Sequence, residues 1–214
     1  MRSSTTGAQV EAVCVVHELI DGFFHPTAID KRPAAGPVRI GELGPEGDRH
    51  VDSAHGGPDA AVYVYAAEDA AHFAEVLGRE IPPGLLGDNV RTRALDVTGA
   101  LLGERWRIGD RESGVLLEVR KPRTPCQNLS MRIGVDGFHV DLNRTGRVGA
   151  MCRVLEPGTI AAGDPVVVEH RPAHEVTVGV LVTGMTPGQA RGLLDADVSL
   201  TSAVRAKARR YASR

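Results

Sequence analysis

Apolar and polar positions change over in short runs through the first four-fifths of the chain, cut repeatedly by glycine and proline, and settle into a helical period only near the C-terminus. Short apolar runs closed by turn-forming residues predict strands. They fall at VEAVCVV (10–16), PVRIG (37–41), AVYVY (61–65), RWRIG (105–109), GVLLEVR (114–120), MCRVL (151–155) and DPVVVEH (164–170). Several are rich in valine, whose β-branched side chain packs well on a pleated surface. Many short strands separated by turns predict a barrel.

Helical spacing is rarer. AAEDAAHFAEVLG (66–78) carries Phe73, Val76 and Leu77 at near-helical intervals, acidic residues early and Gly78 as a stop. A shorter helix is expected within 136–146. Beyond residue 170, TPGQARGLLDAD and SLTSAVRAKARRYASR each open on a capping residue and continue with 3.6-residue spacing, predicting a small helical C-terminal unit. The fold class expected is therefore α+β, mainly β, in three parts: 1–29 leading into the barrel, 30–170 forming it, and 171–214 helical.

Composition narrows the function classes. At 214 residues, 42% hydrophobic and 24% charged, the chain can bury one substantial core and a small appendage. Its net charge of −2 gives the molecule as a whole no reason to bind nucleic acid or a membrane. The basic C-terminal residues Arg205, Lys207, Arg209, Arg210 and Arg214 read as a solvated helix face. The absence of a signal-peptide h-region and of a long apolar span leads us to expect a cytoplasmic protein. Three cysteines without CxxC spacing point to reduced thiols.

Those cysteines differ in setting. Cys14 in AVCVV and Cys152 in GAMCRVL read as small buried hydrophobes, made inert by burial. Cys126 lies in RKPRTPCQNL, where Pro122 and Pro125 cannot donate ladder hydrogen bonds and should take KPRTPC out of the sheet. Lys121 and Arg123 favour the thiolate, the form that attacks electrophiles and binds soft metals. A plain surface cysteine is the alternative at this point.

Other loops offer polar groups. GPEGDRHVDSAHGGPDAAV (44–62) holds Arg49, His50 and His55, and His55 can donate a hydrogen bond, transfer a proton or simply cap the loop. A zinc site there lacks HExxH or any other helix-held ligand pair. DKRPAAGPV (30–38) supplies Lys31 and Arg32, and LLGDNVRTR (85–93) supplies Asn89, Arg91 and Arg93, both read as loops. Neither a GxxxxGK[ST] nor a GxGxxG pattern occurs, so ATP and NAD are not supported. Together these groups suit a phosphate-bearing heteroaromatic ligand beside a thiolate.

In order and spacing, KRPAAGPVRIGELGPEGDRHVD, HGGPDAAVYVY, GDNV, GERWRIGD, VRKPRTPCQNL and RVLEPGTIAAGDPVVV resemble the MOSC domain family, named for the C-terminal domain of molybdenum cofactor sulfurase. The likeness is greatest to its stand-alone bacterial members of the YiiM type. It covers most of residues 30–170, and HEVTVGVL with the two helical segments resembles their C-terminal three-helix domain. The resemblance implies a β-barrel related to that of pyruvate kinase, with a molybdenum cofactor in a cleft and a cysteine sulfur on the metal. Cys126 matches that cysteine, while Lys31, Arg49, His55, Asn89 and Arg123 fall in the cleft-lining motifs. GDNV in place of the usual GEN-leucine, and Gln127 and Asn128 after the cysteine, depart from the family pattern and bear on substrate choice.

On this resemblance the protein is expected to be a molybdenum-dependent oxidoreductase that removes oxygen from N-hydroxylated bases or amidoximes. The chain shows no flavin, haem or iron-sulfur motif, so electrons are expected from a separate donor protein. Cys126 would anchor molybdenum. Lys31, Arg49 and Arg123 would hold phosphate and pterin, Asn89 would orient the cofactor, and His55 would shape the pocket or relay a proton. A non-catalytic carrier of cofactor or sulfur is the alternative; substrate, donor and oligomeric state are not specified by the sequence.

Overall fold

The computed structural model describes residues 7–49, 51 and 56–214. Its strands are β1 (Gln9–Ile20), β2 (Thr27–Pro33), β3 (Val38–Gly41), β4 (Gly44–Pro45), β5 (Val62–Ala66), β6 (Val90–Arg93), β7 (Arg105–Ile108), β8 (Val115–Pro122), β9 (Ala150–Glu156), β10 (Gly158–Ile160) and β11 (Val166–His170). The helices are α1 (Ala67–Leu77), α2 (Gln127–Ile133), α3 (Phe138–Thr145), α4 (Val178–Thr183), α5 (Pro187–Asp195) and α6 (Ser202–Ala212), with a 3-10 turn at Pro58–Ala60. None of these helices is long and apolar enough to cross a membrane.

Eight strands form one sheet in the order β11-β7-β8-β9-β5-β6-β1-β2, and β10-β3-β4 form a second. The large sheet closes on itself. Val10 N donates to Asp164 O at 2.9 Å and Val166 N donates to Ala8 O at 2.8 Å, so the first half of β1 meets β11 while its second half pairs with β2. The expected barrel is present. Neighbours are antiparallel except β5 and β6, which run parallel. A parallel pair needs a crossover, and α1 lies within it.

β5 shows how one strand serves two cores. Val62, Val64 and Ala66 point into the barrel beside Trp106, Leu117 and Cys152. Tyr63 and Tyr65 point outward into a second core with Phe73, Leu86, Leu129, Ile133 and Phe138. Since alternate side chains of a strand face opposite ways, burial of all five residues requires cover on both faces. A third core joins Leu102 to Val176, Leu181, Leu193, Val204 and Ala208 of the helical tail.

Three elements differ from the sequence pattern. Residues 30–33 form the second half of β2, 85–93 contain β6, and the amide-rich turn after Cys126 is α2. β2 lies at the sheet edge and carries Asp30, Lys31 and Arg32 in place of an apolar run. β6 is four residues long and buries a charged Arg91. Leu129 and Ile133, at i and i+4, are buried and form the inward stripe of α2. Within α1, Phe73 is buried but Val76 is 67% exposed, because the inward stripe runs through Asp69, Ala70 and Phe73.

Thr186 and Gln189 form a reciprocal capping box at the start of α5, and the Thr201 hydroxyl accepts from Val204 N at the start of α6. His174 ties this tail to the barrel. Its Nε2 donates to Leu102 O at 2.8 Å while Nδ1 accepts from Val176 N at 3.1 Å, an arrangement that requires a neutral ring. Burial pushes its pKa below the ordinary 6.5, against an opposing pull from the Leu102 carbonyl. The unfolded chain therefore binds this proton more readily. The stability that His174 contributes is fully present above pH 6.5 and declines as pH falls below it. Urea unfolding at pH 7.5 and pH 5 should show a wild-type loss on acidification that His174→Gln lacks; equal pH slopes would contradict this role.

Candidate functional site

A cleft of about 370 Å³ opens between β2, the segment after β4, Tyr63, Asn89 and the junction of β8 with α2. Lys31, Arg49, Asn89, Arg123 and Cys126 all line it. These five expected residues, scattered over nearly a hundred positions of chain, are brought together. The remaining one, His55, lies outside the described residues, as does His50 of the zinc alternative. Among the described residues no group of three His, Cys, Asp or Glu side chains is arranged to hold a metal ion.

Cys126 is positioned by the end of a strand. β8 runs two residues further than the apolar pattern indicates, pairing Pro122 with Ala150, and Arg123 N makes a further bond to Gly149 O at 3.1 Å. The chain leaves the sheet there, so Pro122 occupies a final ladder position where a missing N–H costs little. After Thr124 and Pro125, Cys126 adopts extended backbone at the N-cap of α2, its carbonyl accepting from Leu129 N at 2.9 Å. The side chain is half-buried at the cleft wall.

The other cysteines are fully buried. Burial, reinforced by Asp88, pushes the Cys14 thiol up to about 12, and burial raises Cys152 further still. Both are thus held as inert thiols, as the apolar runs around them imply.

Asp48, unmarked by the sequence reading, organises one wall. Its Oδ2 accepts from Lys31 Nζ at 2.7 Å and from Asn89 Nδ2 at 2.8 Å, while its Oδ1 accepts from Val16 N at 3.2 Å. The Asp48 side chain is only 2% exposed. Asn89 is equally committed: Oδ1 accepts from Tyr63 N at 3.1 Å, and Nδ2 also reaches Cys14 O at 3.3 Å. One amide thereby stitches β1, β5 and the Asp48 segment together at the cleft. An acid inside a glycine-rich turn gives little sequence signal, because such residues usually serve the turn itself.

Arg123 occupies the opposite situation. It is 9% exposed, yet its Nη1 is buried and has no hydrogen-bond partner among the described residues. Its guanidinium carbon lies 5.7 Å from the Tyr63 ring centroid, and the Tyr63 phenol is fixed by donating to Val148 O at 2.8 Å. A buried donor left unpaired is costly and points to a ligand. Arg49 is exposed at the rim. Arg91 and Arg93 are not cleft groups: Arg91 is buried against Asp88 and Arg93 pairs with Glu11 at the surface.

Asn128 shapes the mouth. Its Oδ1 accepts from Phe23 N at 2.7 Å, pinning the β1–β2 hairpin tip beside α2. Gly22 is needed in that tip, since a Cβ there would lie 2.4 Å from His25 O and 3.0 Å from Asn128 Oδ1. The residue that departs from the family pattern after the cysteine is therefore a structural part of the rim.

Comparison with known proteins places the chain. The MOSC domain profile matches residues 51–167. YiiM of Escherichia coli is 32% identical over 158 residues, 72% of this chain and 68% of YiiM. YflK of Bacillus subtilis is 34% identical over 144 residues, 67% of this chain and 63% of YflK. A Gibberella moniliformis protein named "Reductase" is 34% identical over 152 residues, which make up 68% of this chain but 26% of that protein. The crystal structure of YiiM from Geobacillus stearothermophilus superposes with a TM-score of 0.75 at 23% identity, covering 95% of this chain and 98% of that one, a likeness of fold. The matched profile, together with relatives above 30% identity, makes the chain a member of the MOSC domain family.

Proposed function

We propose that the cleft binds a molybdenum cofactor through Cys126 and Arg123, and that the protein reduces N-hydroxylated compounds. The observation that carries this reading is the pairing, in one cavity, of a half-buried cysteine with a buried guanidinium whose Nη1 has no partner among the described residues. The donor set fits the group. A thiolate is a soft ligand suited to a metal already held by sulfur, and a desolvated guanidinium suits a phosphate. A volume of about 370 Å³ lies within the roughly 300–1,000 Å³ of small-molecule sites. The fungal relative named as a reductase supports redox chemistry in preference to simple carriage of the cofactor.

When bound, the cofactor would supply two-electron redox chemistry. The net reaction takes an N–OH group, two protons and two electrons to N–H and water, with the electrons coming from a separate donor protein. Cys126 holds the metal side of the ligand and Arg123 its anionic side. Lys31, Asp48 and Asn89 present a fixed polar wall, and Asn128 sets the rim past which substrate enters. Because these groups are mutually bonded before any ligand arrives, little ordering entropy is lost on binding.

The test is turnover by protein isolated from cells that make the cofactor, supplied with chemically reduced viologen and benzamidoxime. Benzamidine should form with two viologen equivalents per product, and Cys126→Ser should not form it. Molybdenum-loaded protein that donates cofactor to an apo-enzyme yet forms no benzamidine would favour the carrier instead.

A further inference from the structure

We propose that Asp48 sets the charge of the cleft: it neutralises Lys31 and locks Lys31 and Asn89 into an uncharged wall, leaving the buried Arg123, with Lys121 beside it on the lining, to meet the ligand's anionic group. This rests on the cleft being an anion-bearing ligand's site, and it departs from the family-based expectation that Lys31 shares in holding phosphate.

The argument is electrostatic. Lys31 Nζ lies 2.7 Å from a carboxylate oxygen, with side-chain exposures of 10% and 2% for the two partners. At that separation an incoming anion meets a compact dipole in place of a charge, and what it gains from the ammonium is largely cancelled by the carboxylate behind it. The Asn89 amide donors are spent on Asp48 and Cys14 O, so that wall offers shape and polarity but no spare charge. Arg123 faces the Tyr63 ring and forms no ion pair among the described residues. Its full charge therefore remains available, in a site where desolvation strengthens a charge-assisted hydrogen bond. Arg49, exposed at the rim, is screened by water and salt.

The cleft thus has a neutral hydrogen-bonding end and a cationic end. A ligand with a polar, uncharged heterocycle at one end and a phosphate monoester at the other is accommodated in one direction only.

Inorganic phosphate, titrated calorimetrically into metal-free protein at low ionic strength, reads this directly. Arg123→Gln should weaken phosphate at least tenfold, and the Lys31→Met/Asp48→Asn double variant, which removes both charges of the pair together, should change it less than about threefold. Asp48→Asn should tighten it by roughly three- to tenfold, since it restores the lysine's charge. Asp48→Glu, which keeps the carboxylate, should stay near wild type. A purely structural Asp48 would not give a gain in affinity for Asn beside no change for Glu. Should Asp48→Asn fail to fold, the double variant, in which no unpaired charge is left at the pair, against Arg123→Gln still decides the matter. Equal losses in those two variants, an Asp48→Asn protein that binds no more tightly, or wild-type protein that does not bind phosphate would overturn the proposal. Molybdenum retained by wild type and lost from Cys126→Ser alongside such a result would leave the broader function standing and sink the charge assignment alone.

Discussion

Asp88→Ala is expected to destabilise the protein by about 3–5 kcal/mol, the cost of removing one partner from a buried ion pair. Asp88 and Arg91 are 0% and 2% exposed, with Arg91 Nε and Nη2 donating to the two carboxylate oxygens at 3.0 and 3.2 Å. Burial alone would pull the Arg91 pKa down; Asp88 outweighs it, and the net shift is upward. Among the described residues, the guanidinium without Asp88 would keep only Ile81 O, Pro82 O and the Tyr65 ring, with no countercharge. Gly84 N would also lose its acceptor, Asp88 Oδ1. That turn matters to the cleft, because Gly84 packs so closely on β2 that a Cβ would sit 2.4 Å from Lys31 O, and Asn89 follows Asp88 directly. Urea unfolding followed by circular dichroism checks the figure; a loss below about 1 kcal/mol would place the pair among those that surface water already screens.

Cys126→Ser is expected to do the reverse, leaving the fold intact and removing the metal. Cys126 is half-buried at the cleft wall, and an oxygen in its place meets no closed apolar core. The stability change should stay within roughly 0.5 kcal/mol, as for surface substitutions. A hydroxyl is a far harder ligand than a thiolate, so protein purified from cofactor-competent cells should keep less than about one-tenth of the wild-type molybdenum. Elemental analysis beside a thermal melt separates the two effects. Comparable losses of melting temperature and metal would mean that the residue is structural.

What the sequence made legible follows from the kind of signal each element carries. Valine-rich runs such as those of β5 and β8 announce themselves because both faces are covered, and α5 and α6 do so through their capping threonines. β2 and β6 are hidden because charged Asp30, Lys31 and Arg91 stand among their buried residues, and an Asp, Lys or Arg is silent in a hydrophobic pattern even when its partner buries it. The cleft residues Lys31, Asn89, Arg123 and Cys126 stand out as chemistry in loops, but their division of labour does not. Lys31 is neutralised by Asp48, seventeen residues further along, through a side-chain ion pair, while Arg123 has no such partner among the described residues. The exposed tip at Phe23 and Phe24 is tied to the cysteine loop by Asn128 across 105 positions, a link that no local pattern encodes.

The central claim is a bond between the Cys126 sulfur and the metal. Molybdenum-edge X-ray absorption on protein loaded in cofactor-producing cells, wild type beside Cys126→Ser reconstituted to equal metal, tests it most directly. We expect the wild-type spectrum to contain one more sulfur neighbour than the variant; identical sulfur shells in the two proteins would contradict the account.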